Sequence, residues 1–300
     1  MVDDAAWRHI DNATGQRMRD DVIRRVMVTG ATGFVGGRVV RELLVRGVTP
    51  VCLVRSPGKL YRQHPERVAD RLVGETGSIT DRAALARAAE GCQAVIHLVG
   101  IILARRLRGQ TFDRVHRRGT LAVLGAAAGA GIKRFVHMSA LGTRAEAVST
   151  YHKTKWAGEQ LVRGSGLDWT VFRPSLIHGA EGEFMRLMKR FHCGLFPPVI
   201  PYFGDGEAKL QPVSVKDVAH CLVESLFRAD TIGETFDLGG PEAFSWVELH
   251  RLCRELMPRA RRWKPIVSMP VGVAKTIAAL SAPPMAVAEL MIRSLGLFRF

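Results

Sequence analysis

This 300-residue sequence lacks several things that would assign it to a simple class. Its five cysteines, Cys52, Cys92, Cys193, Cys221 and Cys253, are odd in number, and none forms a C-x-x-C pair. That argues against a disulfide framework and fits a reducing compartment. No zinc-finger or other metal-ligand spacing occurs. The arginines are scattered and the aromatics form no RNA-binding signature, so nucleic acid is not an expected partner. The formal charge of +15, from 43 basic and 28 acidic residues, instead favours anionic ligands or an anionic membrane surface. Met1 to Asp21 is polar and charged without an apolar core, so it is not expected to be a secretory leader. Residues 1–22 read as a flexible extension. No apolar run reaches membrane-spanning length, and there is no internal repeat or low-complexity linker. The expected location is cytoplasmic.

What is present is a globular mixture, 47% apolar, with alternating strand and helix patterns. Arg25 to Thr29 reads as a buried parallel strand. Gly30-Ala31-Thr32-Gly33-Phe34-Val35-Gly36 follows at once, and Phe34 to Val45 has helical spacing. Strand, glycine turn and helix in this order form a pyrophosphate site. Gly30 makes the tight turn, Gly33 admits the phosphates, and Gly36 lets helix and strand pack. The free N–H groups at the helix start meet the negative charge.

The next strand, Thr49 to Val54, runs into Arg55-Ser56 with Lys59 close by. An acidic residue here would accept from a ribose 2'-hydroxyl. Arginine suits a 2'-phosphate, so NADP(H) is favoured over NAD(H). Further elements are expected at Arg71–Val73 (strand), Thr80–Ala89 (helix), Ala94–Val99 (strand) and Phe112–Gly129 (helix). Then come Arg134–Met138 (strand), Ser149–Arg163 (helix) and Trp169–Arg173 (strand, stopped by Pro174). Repeated βαβ units give a parallel sheet with helices on both faces. Past Pro174 the rhythm changes. Phe191 to Gly206 reads as loops with short strands. Val215–Phe227 and Ser245–Leu256 read as helices, and Thr235–Leu238 as a strand returning to the sheet.

The expected fold is therefore α/β: a Rossmann-type doubly wound parallel sheet with a smaller C-terminal lobe. Residues 23–177, with returning segments at about 211–240, form the NAD(P)-binding domain. Residues 178–210 and 241–300 form a smaller lobe for a substrate or partner. Within the tail, Arg261-Arg262-Trp263-Lys264 precedes two apolar stretches divided by Pro283-Pro284. Residues 261–300 either pack into the lobe or make a peripheral contact with a membrane, at its inner face, or with a protein complex.

Tyr151 and Lys155 share one face of a helix, four residues apart. A phenol is too weak an acid for efficient proton transfer at neutral pH, and a nearby ammonium would lower its pKa. His97 and His137 are assigned to strand packing.

Taken with V-T-G-A-T-G-F-V-G-G, A-V-I-H-L-V-G, G-I-K-R-F-V-H-M-S-A-L-G, Y-H-K-T-K-W-A-G-E, R-P-S-L-I-H-G and Q-P-V-S-V-K-D-V-A, the chain resembles a known family. It is similar to the extended or atypical short-chain dehydrogenase/reductases, which are epimerase/dehydratase-like. More narrowly it resembles the group related to the 39-kDa NAD(P)-binding subunit of respiratory complex I. The resemblance runs from about Val26 to Met257. It implies that Gly30, Thr32, Gly33, Phe34 and Val35 hold the pyrophosphate and that Arg55, with Lys59, meets the 2'-phosphate. Ser78 and Ile79 would lie near the adenine, Ser78 standing where the family has aspartate. Leu98, Val99 and Gly100 would line the cofactor, and Pro174 to Ile177 would touch the nicotinamide end. Tyr151 would be the acid/base and Lys155 its partner.

Two positions depart from the family pattern. His116 stands where active members carry asparagine, either as a catalytic group or as a satisfied core histidine. Leu141 takes the place of the usual hydroxyl, leaving Ser139 and Thr143 nearest. The implied function is an NAD(P)-binding oxidoreductase or epimerase/dehydratase-like enzyme acting on a carbinol or carbonyl. The alternative is a non-catalytic NADPH-binding protein supporting a respiratory or quinone-related complex.

Overall fold

The computed structural model describes residues 23–65, 71–102, 104 and 109–270. The expected extension at 1–22 and the apolar tail beyond 270 lie outside them.

Strand β1 is Arg25–Thr29, followed by α1 (Phe34–Val45), β2 (Thr49–Val54) and α2 (Pro57–Gln63). Then come β3 (Val73–Thr76), α3 (Arg82–Ala89) and β4 (Ala94–His97). A π turn at Asp113–Arg118 leads without a break into α4 (Gly119–Gly129). Next are β5 (Arg134–Met138), α5 (Thr150–Arg163) and β6 (Asp168–Pro174). The remainder is β7 (Ile177–His178), α6 (Glu183–Cys193), β8 (Ile200–Phe203), β9 (Lys209–Leu210), β10 (Val213–Ser214) and α7 (Val215–Glu224). The last described elements are β11 (Glu234–Leu238), β12 (Phe244–Ser245), α8 (Trp246–Leu256) and β13 (Ile266–Met269).

Seven strands form one parallel sheet in the order β11-β6-β5-β4-β1-β2-β3. β1 has β2 on one side and β4 on the other, so Thr29 lies between Leu53 and His97. The chain order reverses at this point, where an open α/β sheet leaves a crevice beyond its strand ends. The doubly wound sheet read from the sequence is therefore the fold of the chain.

Each face of the sheet buries its own apolar cluster. On one side Val26, Val28, Val39, Leu43, Val218 and Leu222 bring α1 and α7 together. On the other, Met27, Val95, Leu85, Val123, Phe135 and Val162 pack α3, α4 and α5. Alternate residues of β1 feed the two clusters, as a two-sided buried strand requires. A third, smaller cluster joins Phe184, Met188, Leu210, Trp246 and Leu249. It sits around α6 and α8, and a Ser245–Glu248 capping box fixes the start of α8.

Some element boundaries differ from the sequence reading. β3 lies at Val73–Thr76 instead of Arg71–Val73, because its ends are set by pairing with Val51 to Val54 and not by apolar content. β4 stops at His97, where its pairing with β5 ends at His137. Helix α6 was not anticipated. Its buried Phe184, Met188 and His192 recur every four residues, with Arg186, Lys189 and Arg190 exposed on the other side, an amphipathic pattern that the sequence reading overlooked. Among the described residues no helix is long and apolar enough to cross a membrane.

Candidate functional site

The glycine turn leaves β1 at the crevice. Gly30 has φ +79°, and a Cβ on it would lie 3.2 Å from the backbone of Leu98 and Val99. The Gly33 N–H closes the turn on the Gly30 carbonyl at 2.9 Å. A Cβ on Gly36 would collide with that same carbonyl oxygen, so no larger residue fits while α1 sits against the turn. Helix α1 then starts at an N-cap glycine with no side-chain cap and no acidic residue in its first turn. Its leading N–H groups keep their partial positive charge for an outside ligand. A pyrophosphate fits this cradle.

A cleft of about 1520 Å³ opens from the turn. Gly30, Thr32, Gly33, Phe34, Val35, Lys59, Leu98, Gly100, Ser139, Tyr151, Lys155, Pro174 and Ile177 line it. Sequence reasoning had singled out all of these. The fold brings them together from the C-terminal ends of β1, β4, β5 and β6 and from the first turns of α1 and α5. Arg55, Ser78, Ile79, Val99 and His116 are not in the lining. Arg55 is exposed just past β2, while Ser78 is engaged with the Thr80 hydroxyl at 3.0 Å. Val99 presents its backbone to Gly30. Ile101, Leu141, Leu176, Phe184, Leu210 and Trp246 give much of the remaining wall an apolar character.

Tyr151 and Lys155 reach the cleft from one face of α5. Ser149 caps that helix by accepting from the His152 N–H at 3.2 Å, a contact worth about 1 kcal/mol. The Lys155 ammonium is buried and donates to the Met138 carbonyl at 2.8 Å. Burial lowers its pKa to about 8, and Glu159, one turn further on, opposes that shift. Glu159 is itself wholly buried and held by Arg173 at 2.8 and 2.6 Å. The stripe Tyr151, Lys155, Glu159 thus continues inward to Arg173. Sequence reasoning missed both Glu159 and Arg173; the spacing of four could be extended to Glu159 but not to Arg173, which lies on β6.

The Tyr151 phenol departs from expectation. Burial raises its pKa to about 12, and Lys155, turned to the Met138 carbonyl, does not bring it down. Phe112, His116 and His152 all meet its ring edge to face.

His116 is almost completely buried in the π turn. Its Nε2 accepts from the Ile101 N–H at 3.1 Å, so the neutral ring carries its hydrogen on Nδ1 and donates to Thr154 Oγ1 at 2.9 Å. Burial and the Lys155 charge push its pKa down to about 2. Thr120 Oγ1, at the start of α4, donates at 2.6 Å to the His116 carbonyl four residues before it. With that hydrogen committed, Thr120 accepts from His97 Nε2 at 3.1 Å, and His97 Nδ1 accepts from Thr29 Oγ1 at 2.6 Å. One polar chain therefore joins the strand below the glycine turn to the π turn. Leu141 belongs to a tight turn whose hydroxyls, Ser139 and Thr143, are buried 3.4 Å apart in the cleft wall.

The parallel sheet, the glycine cradle and the crevice define a dinucleotide-binding protein of the extended short-chain dehydrogenase/reductase type. The chain belongs to the NAD(P)H-binding family, whose model matches residues 30–229. It is 33% identical to a ceramide reductase of Caulobacter vibrioides over 243 residues, which cover 80% of this chain and 73% of that protein. It is 28% identical to the mitochondrial NADH dehydrogenase (ubiquinone) 1 alpha subcomplex subunit 9 of Arabidopsis thaliana, covering 84% of this chain and 62% of that subunit. Among solved structures, an NADPH-dependent quinone oxidoreductase of Escherichia coli, complexed with NADPH, superposes with a TM-score of 0.70. It does so at 19% identity, over 91% of this chain and 88% of that one, which is a likeness of fold.

Proposed function

We propose that this protein is an NADPH-dependent oxidoreductase that interconverts a carbonyl and a carbinol on an apolar substrate. The observation that carries the reading is the shared cleft. Tyr151 and Lys155 line the same crevice as the glycine turn, and apolar side chains make much of the rest of its lining. When bound, the nicotinamide would supply or take the hydride.

The chain's own residues do the rest. Gly30, Thr32, Gly33, Phe34 and Val35 hold the pyrophosphate against the start of α1. Leu98, Val99 and Gly100 support the cofactor from the segment after β4, and Pro174 and Ile177 bound its nicotinamide end. Ser78 and Ile79 flank the adenine. Arg55 and Lys59 read a 2'-phosphate, because no carboxylate stands at the end of β2 to accept from a 2'-hydroxyl. With its pKa near 12, the Tyr151 phenol keeps its proton at neutral pH and is set to donate it to a developing alkoxide. Lys155, with a pKa of about 8, is mostly cationic there, and turned from the Met138 carbonyl toward the phenol it would stabilise the phenolate left behind. Ser139 and Thr143 offer the hydroxyls that hold the substrate oxygen. His116 acts by position, fixing Ile101 and Thr154 beside the site. Residues 178–210 and 241–270 form the substrate lobe. The apolar wall and the likeness to a ceramide reductase both favour a lipid-like substrate.

The second reading is a non-catalytic NADPH-binding protein that supports a respiratory complex. Leu141, where a hydroxyl would serve catalysis, favours it, as does the likeness to a complex I subunit. The two readings separate on one experiment. The protein is loaded with NADPH and given a long-chain ketone in detergent micelles while nicotinamide absorbance is followed. Oxidation that Tyr151→Phe abolishes, with NADPH affinity unchanged, supports the enzyme. Tight NADPH retention with no ketone-dependent oxidation supports the second reading, and oxidation unaffected by Tyr151→Phe removes the phenol from the mechanism.

A further inference from the structure

Two loops at the far end of α6 are tied into one surface. The buried Lys264 ammonium donates to the Phe191 carbonyl at 2.9 Å and to the Pro197 carbonyl at 2.6 Å. Arg261 adds its backbone N–H to the His192 carbonyl at 2.8 Å and its Nε to the Cys193 carbonyl at 3.2 Å. Strand pairing of β13 with β8 continues the connection from Ile200 onward. These bonds hold residues 193–198 against residues 259–264.

The surface so made is apolar at its tip and basic around it. Leu195 is 72% exposed, Phe196 75% and Trp263 60%. They are among the few large apolar side chains that the described residues present to solvent, and here three gather on adjoining loops. Single exposed apolar residues are ordinary, but a cluster of this kind marks a contact. Around them stand Lys189, Arg190, Arg259, Arg261 and Arg262, all exposed. No aspartate or glutamate occurs between Phe184 and Gly204, or between Leu256 and Pro270. A protein partner of mixed charge would meet a basic surface without carboxylates here, whereas a bilayer with anionic headgroups satisfies both parts. Phenylalanine, leucine and tryptophan enter the interfacial layer while the arginines stay at headgroup level.

We infer that the surface formed by Leu195, Phe196 and Trp263 with its surrounding arginines docks the protein on an anionic lipid bilayer. Helix α6 connects this surface to the cleft, since Glu183, Phe184 and Arg186 at its start line the cleft wall. Eleven helical residues separate the two, about 16 Å. The docked protein therefore holds its cleft close to the headgroup layer. The inference stands on surface geometry and does not depend on the catalytic reading.

The test uses the full chain and sedimentation with vesicles of phosphatidylglycerol and phosphatidylcholine, against vesicles of phosphatidylcholine alone. Binding is expected only to the anionic vesicles, and it should weaken as salt rises. The double variant Leu195→Ser/Phe196→Ser should lose at least about tenfold in partitioning. Arg259→Gln/Arg262→Gln should lose about 25-fold, at about fivefold per basic side chain. Among the described residues none of these four side chains makes a hydrogen bond or ion pair, so both variants should keep the wild-type thermal midpoint. Equal binding by wild type and both variants would place the contact elsewhere and overturn the inference. So would absence of binding to anionic vesicles. If Leu195→Ser/Phe196→Ser instead lowers the thermal midpoint, or dissociates a dimer, without changing vesicle binding, the surface is covered by the chain's own tail or by a second copy, and the inference is equally wrong.

Discussion

Arg173 closes on Glu159 through two hydrogen bonds, 2.8 and 2.6 Å long, and the carboxylate it grips has no exposed surface. The pair lies directly behind Lys155, whose ammonium feels the Glu159 charge. It anchors the end of β6 to the middle of α5 and supplies the negative charge that keeps a buried lysine protonated.

Glu159→Gln is therefore expected to act in two ways. It leaves a partly buried guanidinium without its carboxylate, which costs about 3 kcal/mol, near the low end for breaking such pairs because Arg173 retains some solvent. It also removes the influence that raises the Lys155 pKa, so more of the lysine is neutral at pH 7. A lower denaturation midpoint together with a pH–rate profile displaced to lower pH would bear this out. A variant as stable as wild type, with the same profile, would refute it.

Cofactor choice is expected to rest on the basic residues after β2. Arg55→Ala and Lys59→Ala should each weaken NADPH far more than NADH. A lost charged hydrogen bond of about 1.5–3 kcal/mol corresponds to roughly a 10- to 150-fold change in affinity. Lys59 lines the cleft and Arg55 does not, so the two titrations also rank them. An equal loss for both dinucleotides would mean that neither residue reads the 2'-phosphate.

Gly36→Ala tests the cradle without touching any charged group. The new Cβ meets the Gly30 carbonyl oxygen, a backbone atom that cannot swing aside. Moving α1 away would spoil the alignment of its first N–H groups, so dinucleotide affinity should fall by more than about tenfold, at or above the upper end of what loss of one neutral hydrogen bond causes. Isothermal titration measures it. Unchanged affinity would show that the phosphates bind elsewhere.

Acid should destabilise the fold early. Burial lowers the pKa values of His97 to about 3, His116 to about 2, His152 to about 4 and His250 to about 3. In the unfolded chain each titrates near 6.5. Their folded values are depressed, so the neutral rings favour the folded state fully above pH 6.5. That stability is lost as pH falls from 6.5 toward the folded values, at up to about 1.4 kcal/mol per pH unit for each ring. The thermal midpoint should drop steeply between pH 6.5 and 4. A midpoint constant down to pH 4 would contradict the burial of these rings as neutral groups.

Much of the sheet was legible in the sequence because its strands are buried on both faces. Arg25–Thr29, Thr49–Val54 and Arg134–Met138 agree with the structure residue for residue, as does α1. Their apolar runs, and the glycines between them, have no other economical reading. β3 was misplaced because an edge strand with the sequence Val-Gly-Glu-Thr shows no such run. Helix α6 was missed although its pattern is amphipathic, with Phe184, Met188 and His192 buried and Arg186, Lys189 and Arg190 exposed. At the site, the glycine turn and the Tyr151–Lys155 pair were visible as motifs. The Glu159–Arg173 pair was not, since its members meet only once β6 and α5 are packed. The raised Tyr151 pKa was also illegible, because it comes from burial of the phenol in the packed fold, with Lys155 turned to the Met138 carbonyl.

The π turn at Asp113–Arg118 has a meaning of its own. Such a turn holds one residue more than a turn of α-helix, so everything on one side of it is rotated by about 100° relative to the other. That rotation lets His116 face inward to Ile101 while Arg117 and Arg118 both reach Asp113 on the outside. Deleting one residue from this stretch could leave every named side chain of the site in the sequence and still turn His116 away from it. Here the information lies in the number of residues between two fixed points, a property that a comparison of residue types alone does not register.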